Sequence, residues 1–322
     1  MLLDTWANVR ARAEKVLTPG QRWTLAKQQA LRNLEKFDPN EPRDESGKWT
    51  DGGGSDGGGT KPSAEPKPEA ETHEQKVERI VASVPGAKEK IDELAAKVAQ
   101  GKSTDSPTNE GGYKMSNGHY APDRAKAHAE IFEKIFTPQA IAAATPKPGE
   151  KPVVHLLGGA GGSGKSWFTG PEGTIKKEGK LYLNSDDIKE MLPGYEGWNA
   201  PLMHEESSDA FKMAEKFARG MGLNVIIDGT MGSKKSLEDR ITAYKAAGYR
   251  VEGHFMRVSP ETAATRALQR FVRAKGGKGR FVPPSLLLGH SAVPNFESQR
   301  SRMDTSEIYD NEGKHPVFVS RR

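Results

Sequence analysis

The chain has 322 residues, enough for two domains, but only 34% are hydrophobic, so part of it is expected to stay unpacked. Its formal net charge of +5 suits a polyanionic partner such as a nucleotide, nucleic acid or membrane surface, and carries no information about fold. There is no cysteine, which excludes disulfides, thiolate metal sites and cysteine catalysis; with no signal-type start and no long apolar run, a soluble, cytoplasmic protein without membrane partners is expected.

Residues 1–37 place Val9, Ala13, Val16 and Leu17, then Leu25, Ala30, Leu31 and Leu34, at helical spacing. This predicts a short helical segment too small to hold a core of its own. Residues 38–75 read as a linker, because the Gly-rich tract Asp51–Thr60 favours flexible coil and the Pro-rich Lys61–Pro68 an extended spacer. The stretch Phe37–Thr50 resembles a segment of phage head-assembly polypeptides, which implies association with a phage particle.

Residues 76–145 read as a helical region leading into the last domain. An amphipathic stretch over 75–100 is interrupted at Pro85-Gly86 and stopped by Gly101, and a polar loop follows to about Asn117. A helix then starts at Pro122-Asp123, carries the apolar stripe Ile131, Phe132, Ile135 and Phe136, and ends at Thr137-Pro138.

Over residues 146–322 short apolar strands (Val153–Leu157, Leu181–Asn184, Asn224–Asp228, Val251–Val258) alternate with helical patterns (Glu205–Arg219, Ser236–Ala247, Pro260–Arg273). The fold class expected is α/β, a P-loop NTPase-like parallel sheet with helices on both faces. Ile308-Tyr309 and Val317–Val319, joined through Asp310–Gly313, read as a closing hairpin. His155 lies inside the first strand and reads as a packed core residue.

Directly after that strand, Gly159, Ala160, Gly161, Gly162, Ser163, Gly164, Lys165 and Ser166 match G-x-x-x-x-G-K-[ST]. Glycines let backbone N–H groups converge on phosphate oxygens, and a following helix would offer its N-terminal dipole to the same anion. Lys165 is expected on the β and γ phosphates of ATP or GTP, and Ser166 on Mg²⁺. The strand ending in Asp228-Gly229-Thr230 presents a second candidate Mg²⁺ ligand, Asp228, at the carboxyl edge where α/β sheets bind ligands.

Phosphoryl transfer also needs a proton acceptor and cations for the migrating charge. Asp186 and Asp187 follow the second strand; one is a candidate general base, and the other is expected to cap the next helix. Arg266, Arg270, Arg273, Lys275, Lys278 and Arg280 crowd a helix end and a Gly-rich loop, as in a lid closing over phosphates. Several of these six are expected to be merely solvated, with Arg270 and Arg280 the functional candidates. Ser259-Pro260-Glu261 caps the helix that carries Arg270.

The segment from about Tyr120 to Asn311 resembles the zeta-toxin family of P-loop kinases. The matching pieces are Tyr120–Arg124 with His128, the P-loop, Asn184–Asp187, Asp228–Thr230, Ala247–Tyr249, Arg270 and Gly279–Pro284. The resemblance implies a growth-inhibiting toxin that phosphorylates the 3′-hydroxyl of UDP-N-acetylglucosamine. It also implies Asp186 as general base, Arg270 and Arg280 as charge stabilisers, and a small helical antitoxin as partner. Asp187, Thr230 and Asp209 are the candidate substrate contacts. The family's sugar-nucleotide kinases carry a glutamate where ungapped counting finds Lys212 here; Asp209 or Glu215 would have to substitute, so the acceptor stays open among nucleotide-like molecules. The other readings are a virion-associated or ejected phage protein carrying the kinase as cargo, and a nucleic-acid kinase or ATPase. No basic stripe interleaved with aromatics supports nucleic acid as a partner.

Overall fold

The computed structural model describes residues 71–274, 279–289 and 292–322. The expected helical segment 1–37, the phage-like stretch, nearly all of the linker, and Lys275 and Lys278 lie outside the described residues. Six strands form one sheet in the order β2-β3-β1-β4-β5-β6. β1 (Val153–Gly158), β2 (Leu181–Asn184), β3 (Val225–Asp228), β4 (Arg250–Arg257) and β5 (Thr305–Asp310) are parallel, and β6 (Val317–Arg321) closes the edge antiparallel to β5. The sheet is flanked by helices, the α/β architecture that its short apolar strands require, since strands covered on both faces lose the polar alternation of half-exposed ones.

One face buries Val154, Leu156, Leu183, Val225, Ile227, Val251 and Phe255 beneath helical residues including Ile131, Phe211, Ala214, Leu237, Ile241 and Phe296. These come from α3 (Pro122–Ile135), α6 (His204–Gly220), α7 (Lys234–Ala246) and α10 (Ala292–Gln299). Two shorter helices, α4 (Pro138–Ala144) and α5 (Ser185–Met191), lead into β1 and out of β2. On the other face, Leu157, Ile226, Met256 and Tyr309 meet Phe168 and Ile175.

The chain after the phosphate loop departs from expectation. Instead of a full helix, Lys165–Thr169 makes one 3₁₀ segment capped by Gly170. Gly170-Pro171 stops helix growth, and Gly173 folds back so closely that a Cβ there would strike the Trp167 and Phe168 carbonyls. A helix dipole therefore does not back the loop, and an anion bound there would be met by individual amides and side chains.

The N-terminal helices α1 (His73–Ser83) and α2 (Ala87–Gln100) are not free-standing. Ile80, Val84, Ala87 and Leu94 pack with Ala264, Leu268, Phe271, Val282 and Leu287 of α8 (Pro260–Arg273), α9 (Pro284–Leu288) and the chain between them. Lys90 Nζ donates to the Val272 carbonyl at 2.8 Å, near the end of the arginine-bearing helix. Among the described residues no helix is long and apolar enough to cross a membrane.

Candidate active site

The phosphate loop leaves β1 in a conformation that glycine makes accessible. Gly159, Gly162 and Gly164 have φ of 133°, 90° and 89°. A Cβ on Gly162 would strike the Ala263 carbonyl of α8, and one on Gly164 the Asn311 side chain. Asn311 Nδ2 donates to the Ser163 carbonyl at 2.8 Å and so holds the loop from outside. Among the described residues the amides of Gly161, Gly162 and Gly164 donate to no backbone carbonyl, and buried Ser163 Oγ has no partner. Such orphaned donors around a tight turn are what an anion would satisfy.

Lys165 Nζ folds back onto the Gly159 and Ala160 carbonyls at 2.7 and 3.2 Å. Burial lowers its pKa, Asp228 pulls it up, and Arg280 and Arg270 push it down, so all three lie within electrostatic reach of Lys165. Asp228 ends β3 beside Leu157 of β1, and its Oδ2 accepts from Tyr182 Oη at 2.5 Å and Asn184 Nδ2 at 3.5 Å. Ser166 is exposed on the same loop. The hydroxyl of Ser166 and the carboxylate of Asp228 are the hard oxygen donors Mg²⁺ takes, and the loop fits a polyphosphate.

Neither Asp186 nor Asp187 caps α5. Asn184 does, accepting from the Asp186 amide at 2.8 Å, because its position at the strand end leaves its side chain over the first turn. Both aspartates are thereby left in the first turn. The Asp186 carboxylate forms an ion pair with Arg280 and lies 3.5 Å from Lys189 Nζ. Burial, then Glu190 and Asp228, raise the Asp187 pKa, with Lys177 opposing. Lys189 is itself buried, which lowers its pKa to about 8, and it faces His204 Nδ1 at 3.4 Å.

The structure thus gathers Lys165, Asp186, Asp187, Asp228, Arg270 and Arg280 at the carboxyl edge of the sheet. Thr230 borders the group: its carbonyl accepts from the Gly159 amide at 3.2 Å and its side chain is exposed. Arg266 has a structural place, donating to the Asn311, Glu312 and Gly313 carbonyls. Asp209 lies elsewhere on α6, buried and held by Lys114 Nζ and Tyr120 Oη, both at 3.1 Å. Glu215 ties α6 to α7 through Arg240, at 2.7 and 3.0 Å, so it is not available to a substrate.

Several residues of this region escaped sequence reasoning. Tyr182 and Asn311 act through partners distant in sequence. Met231, buried after Thr230, has φ of 57°, a left-handed conformation uncommon for a side chain that is not glycine. Glu206 of α6 is bound by Arg124 at 2.6 and 2.8 Å and by His128 at 2.6 Å, which locks α3 onto α6. Arg124 and His128 were legible only as family-like letters.

A zeta toxin family profile matches residues 138–322, more than half of the chain. Among solved structures, the AvrRxo1-ORF1:AvrRxo1-ORF2 complex with sulphate ions is similar at 18% identity and a TM-score of 0.50, covering 64% of this chain and 69% of that one. The same complex solved with ATP is similar at 16% identity and a TM-score of 0.50, with the same coverage. A structure from the PezAT toxin-antitoxin system of Streptococcus pneumoniae is similar at 15% identity and a TM-score of 0.49, covering 63% of this chain and 82% of that one. No curated protein matches the chain.

Proposed function

The chain belongs to the zeta toxin family, and from that premise we propose that it is a small-molecule kinase that moves the γ-phosphate of ATP or GTP onto a hydroxyl of a nucleotide-like metabolite and thereby inhibits growth. The observation that carries this reading is the Asp186–Arg280 ion pair standing beside the Lys165 cradle. A proton acceptor and a phosphate-seeking cation are held together where a terminal phosphate would meet its acceptor.

In this reading the loop amides and Lys165 would hold the β and γ phosphates, and Ser166 and Asp228 would hold Mg²⁺. The ion there would neutralise charge on the phosphate oxygens. An arriving γ-phosphate competes with Asp186 for the Arg280 guanidinium. The released carboxylate then accepts the proton of the attacking hydroxyl, while Arg270 and Arg280 balance charge on the group in flight. Asp187 and Thr230 border the acceptor. Asp209 stands farther back, in the wall that Lys114 and Tyr120 close.

UDP-N-acetylglucosamine is our first candidate for the acceptor, through its 3′-hydroxyl, and a small helical antitoxin our candidate partner. The test is mass spectrometry of a bacterial metabolite extract, with UDP-N-acetylglucosamine as a separate arm, after incubation with Mg-ATP and either wild type or Asp186→Ala. A phosphorylated nucleotide-like product made only by wild type is expected. Oligonucleotides phosphorylated instead, or equal turnover by both proteins, would sink the proposal.

A further inference from the structure

Three parallel strands place four titratable side chains together below the phosphate loop, and nothing in the kinase reading uses them. The β1–β4 register sets His155 opposite Glu252, and the β4–β5 register sets His254 opposite Glu307. Residues two apart on a strand face the same side, so Glu252 and His254 project with their partners from one face of the sheet. His155 Nδ1 lies 3.0 Å from His254 Nε2 and 3.2 Å from Glu252 Oε2, and His254 Nε2 lies 4.0 Å from that same oxygen. Two imidazole nitrogens and a carboxylate oxygen converge there, with their side chains only 10%, 9% and 16% exposed.

We propose that His155, His254 and Glu252 form a binding site for a borderline divalent transition metal, zinc first, separate from the nucleotide's Mg²⁺. Two of the three donor separations, 3.0 and 3.2 Å, match the roughly 3.3 Å between ligands about 2.0–2.1 Å from a tetrahedral ion, and a small rotation of the Glu252 side chain would close the third, now 4.0 Å. The donor set matches too, since imidazole with carboxylate suits zinc and its neighbours better than Mg²⁺ or Ca²⁺, which take oxygen. A second, independent feature is the outer partner of His254. Its Nδ1 donates to Glu307 Oε1 at 2.7 Å, so Nε2 is the ring nitrogen that faces the other two donors.

Glu307 is held in turn by Thr174 Oγ1 and an Arg321 Nη2, both at 3.1 Å, so the orienting carboxylate is itself fixed. Three protein ligands leave room for a water as the fourth. His155 precedes Gly159 by four residues, about 13 Å along the strand at about 3.3 Å each, which sets this ion apart from the phosphates. The His254 ring also packs against Phe168, 5.7 Å between centroids, so an ion here would brace the segment that trails the phosphate loop.

The test uses the full, untagged chain after chelator treatment, titrated with Zn²⁺ by calorimetry and with Co²⁺ by visible absorption, in wild type, His155→Gln, Glu252→Gln and Asp228→Asn. We expect one equivalent of Zn²⁺ per chain, a Co²⁺ ligand-field band, and a higher melting temperature with metal. His155→Gln and Glu252→Gln should each weaken binding at least tenfold, and Asp228→Asn should not. Glu252→Gln keeps size and shape at the rim, so loss of binding with an unchanged apo melting temperature separates ligand loss from misfolding. Absence of a stoichiometric equivalent, or an equivalent lost in Asp228→Asn and kept in the two ligand variants, overturns the site. Kinase activity enters none of these readouts, so the two proposals fail separately.

Discussion

Asp186 sits between Arg280 and Lys189, and in the proposed reaction its carboxylate has to leave the first of these to accept a proton. Asp186→Ala should therefore keep nucleotide binding and lower transfer by about 10²–10⁴-fold, read as single-turnover kinetics beside a fluorescent-nucleotide affinity. A dead Asp187→Ala with an active Asp186→Ala would move the base one residue along. Gly162→Ala tests the cradle from the opposite side. Its φ of 90° and the Ala263 carbonyl in the path of a Cβ leave no room for the methyl, so nucleotide affinity should fall more than tenfold. Affinity equal to wild type would mean that these amides do not hold phosphate.

At the scale of elements, the arginine helix α8 is packed on one side by α1 and α2. Ile80 is 2% exposed and Leu94 4%. Truncating either to alanine removes core contacts, at a cost of roughly 2–5 kcal/mol to local packing. Because Arg270 lies in the last turn of α8 and Arg280 follows it, Ile80→Ala should raise hydrogen exchange in α8 and weaken ATP binding with little change in the chemical step. Unchanged exchange in α8 would show that α1 and α2 sit on the domain without restraining it. The short 3₁₀ turn after Lys165 belongs to the same scale: without a helix behind the loop, the packing of Phe168 and the grip of Asn311 are what keep it in place.

For the whole molecule, the Arg124–Glu206–His128 cluster joins α3 to α6 and so to the helices that cover the sheet. Burial would raise the Glu206 carboxyl, but hydrogen bonds from His128, Arg124 and Thr104 outweigh it and hold the pKa at about 2, against 4.5 for the free side chain. A carboxyl whose folded pKa is depressed stabilises fully above its unfolded value. That stability drains away as pH falls from about 4.5 toward 2 and amounts to on the order of 3 kcal/mol. Urea unfolding across that range should show the loss in wild type and a shallower one in Glu206→Gln. The variant should also be destabilised at neutral pH by roughly 3–5 kcal/mol, since Arg124 is left buried without its counter-charge. Identical pH slopes in the two proteins would remove Glu206 from this account.

Strand–helix alternation from Val153 onward and the run Gly159–Ser166 needed no tertiary information, because periodicity and a loop's demand for glycine are local properties written into neighbouring residues. The same locality explains why Ser259 was readable as the cap of α8 while Asn184 was not read as the cap of α5: two aspartates beside it carried the same capping signature. What folding alone decided is which distant side chains meet. Arg280 on Asp186, Tyr182 on Asp228, Asn311 on the loop and His155 with Glu252 and His254 all depend on strand order and register. Nothing within a single strand encodes the order of its neighbours, since that emerges from burying all the apolar faces at once.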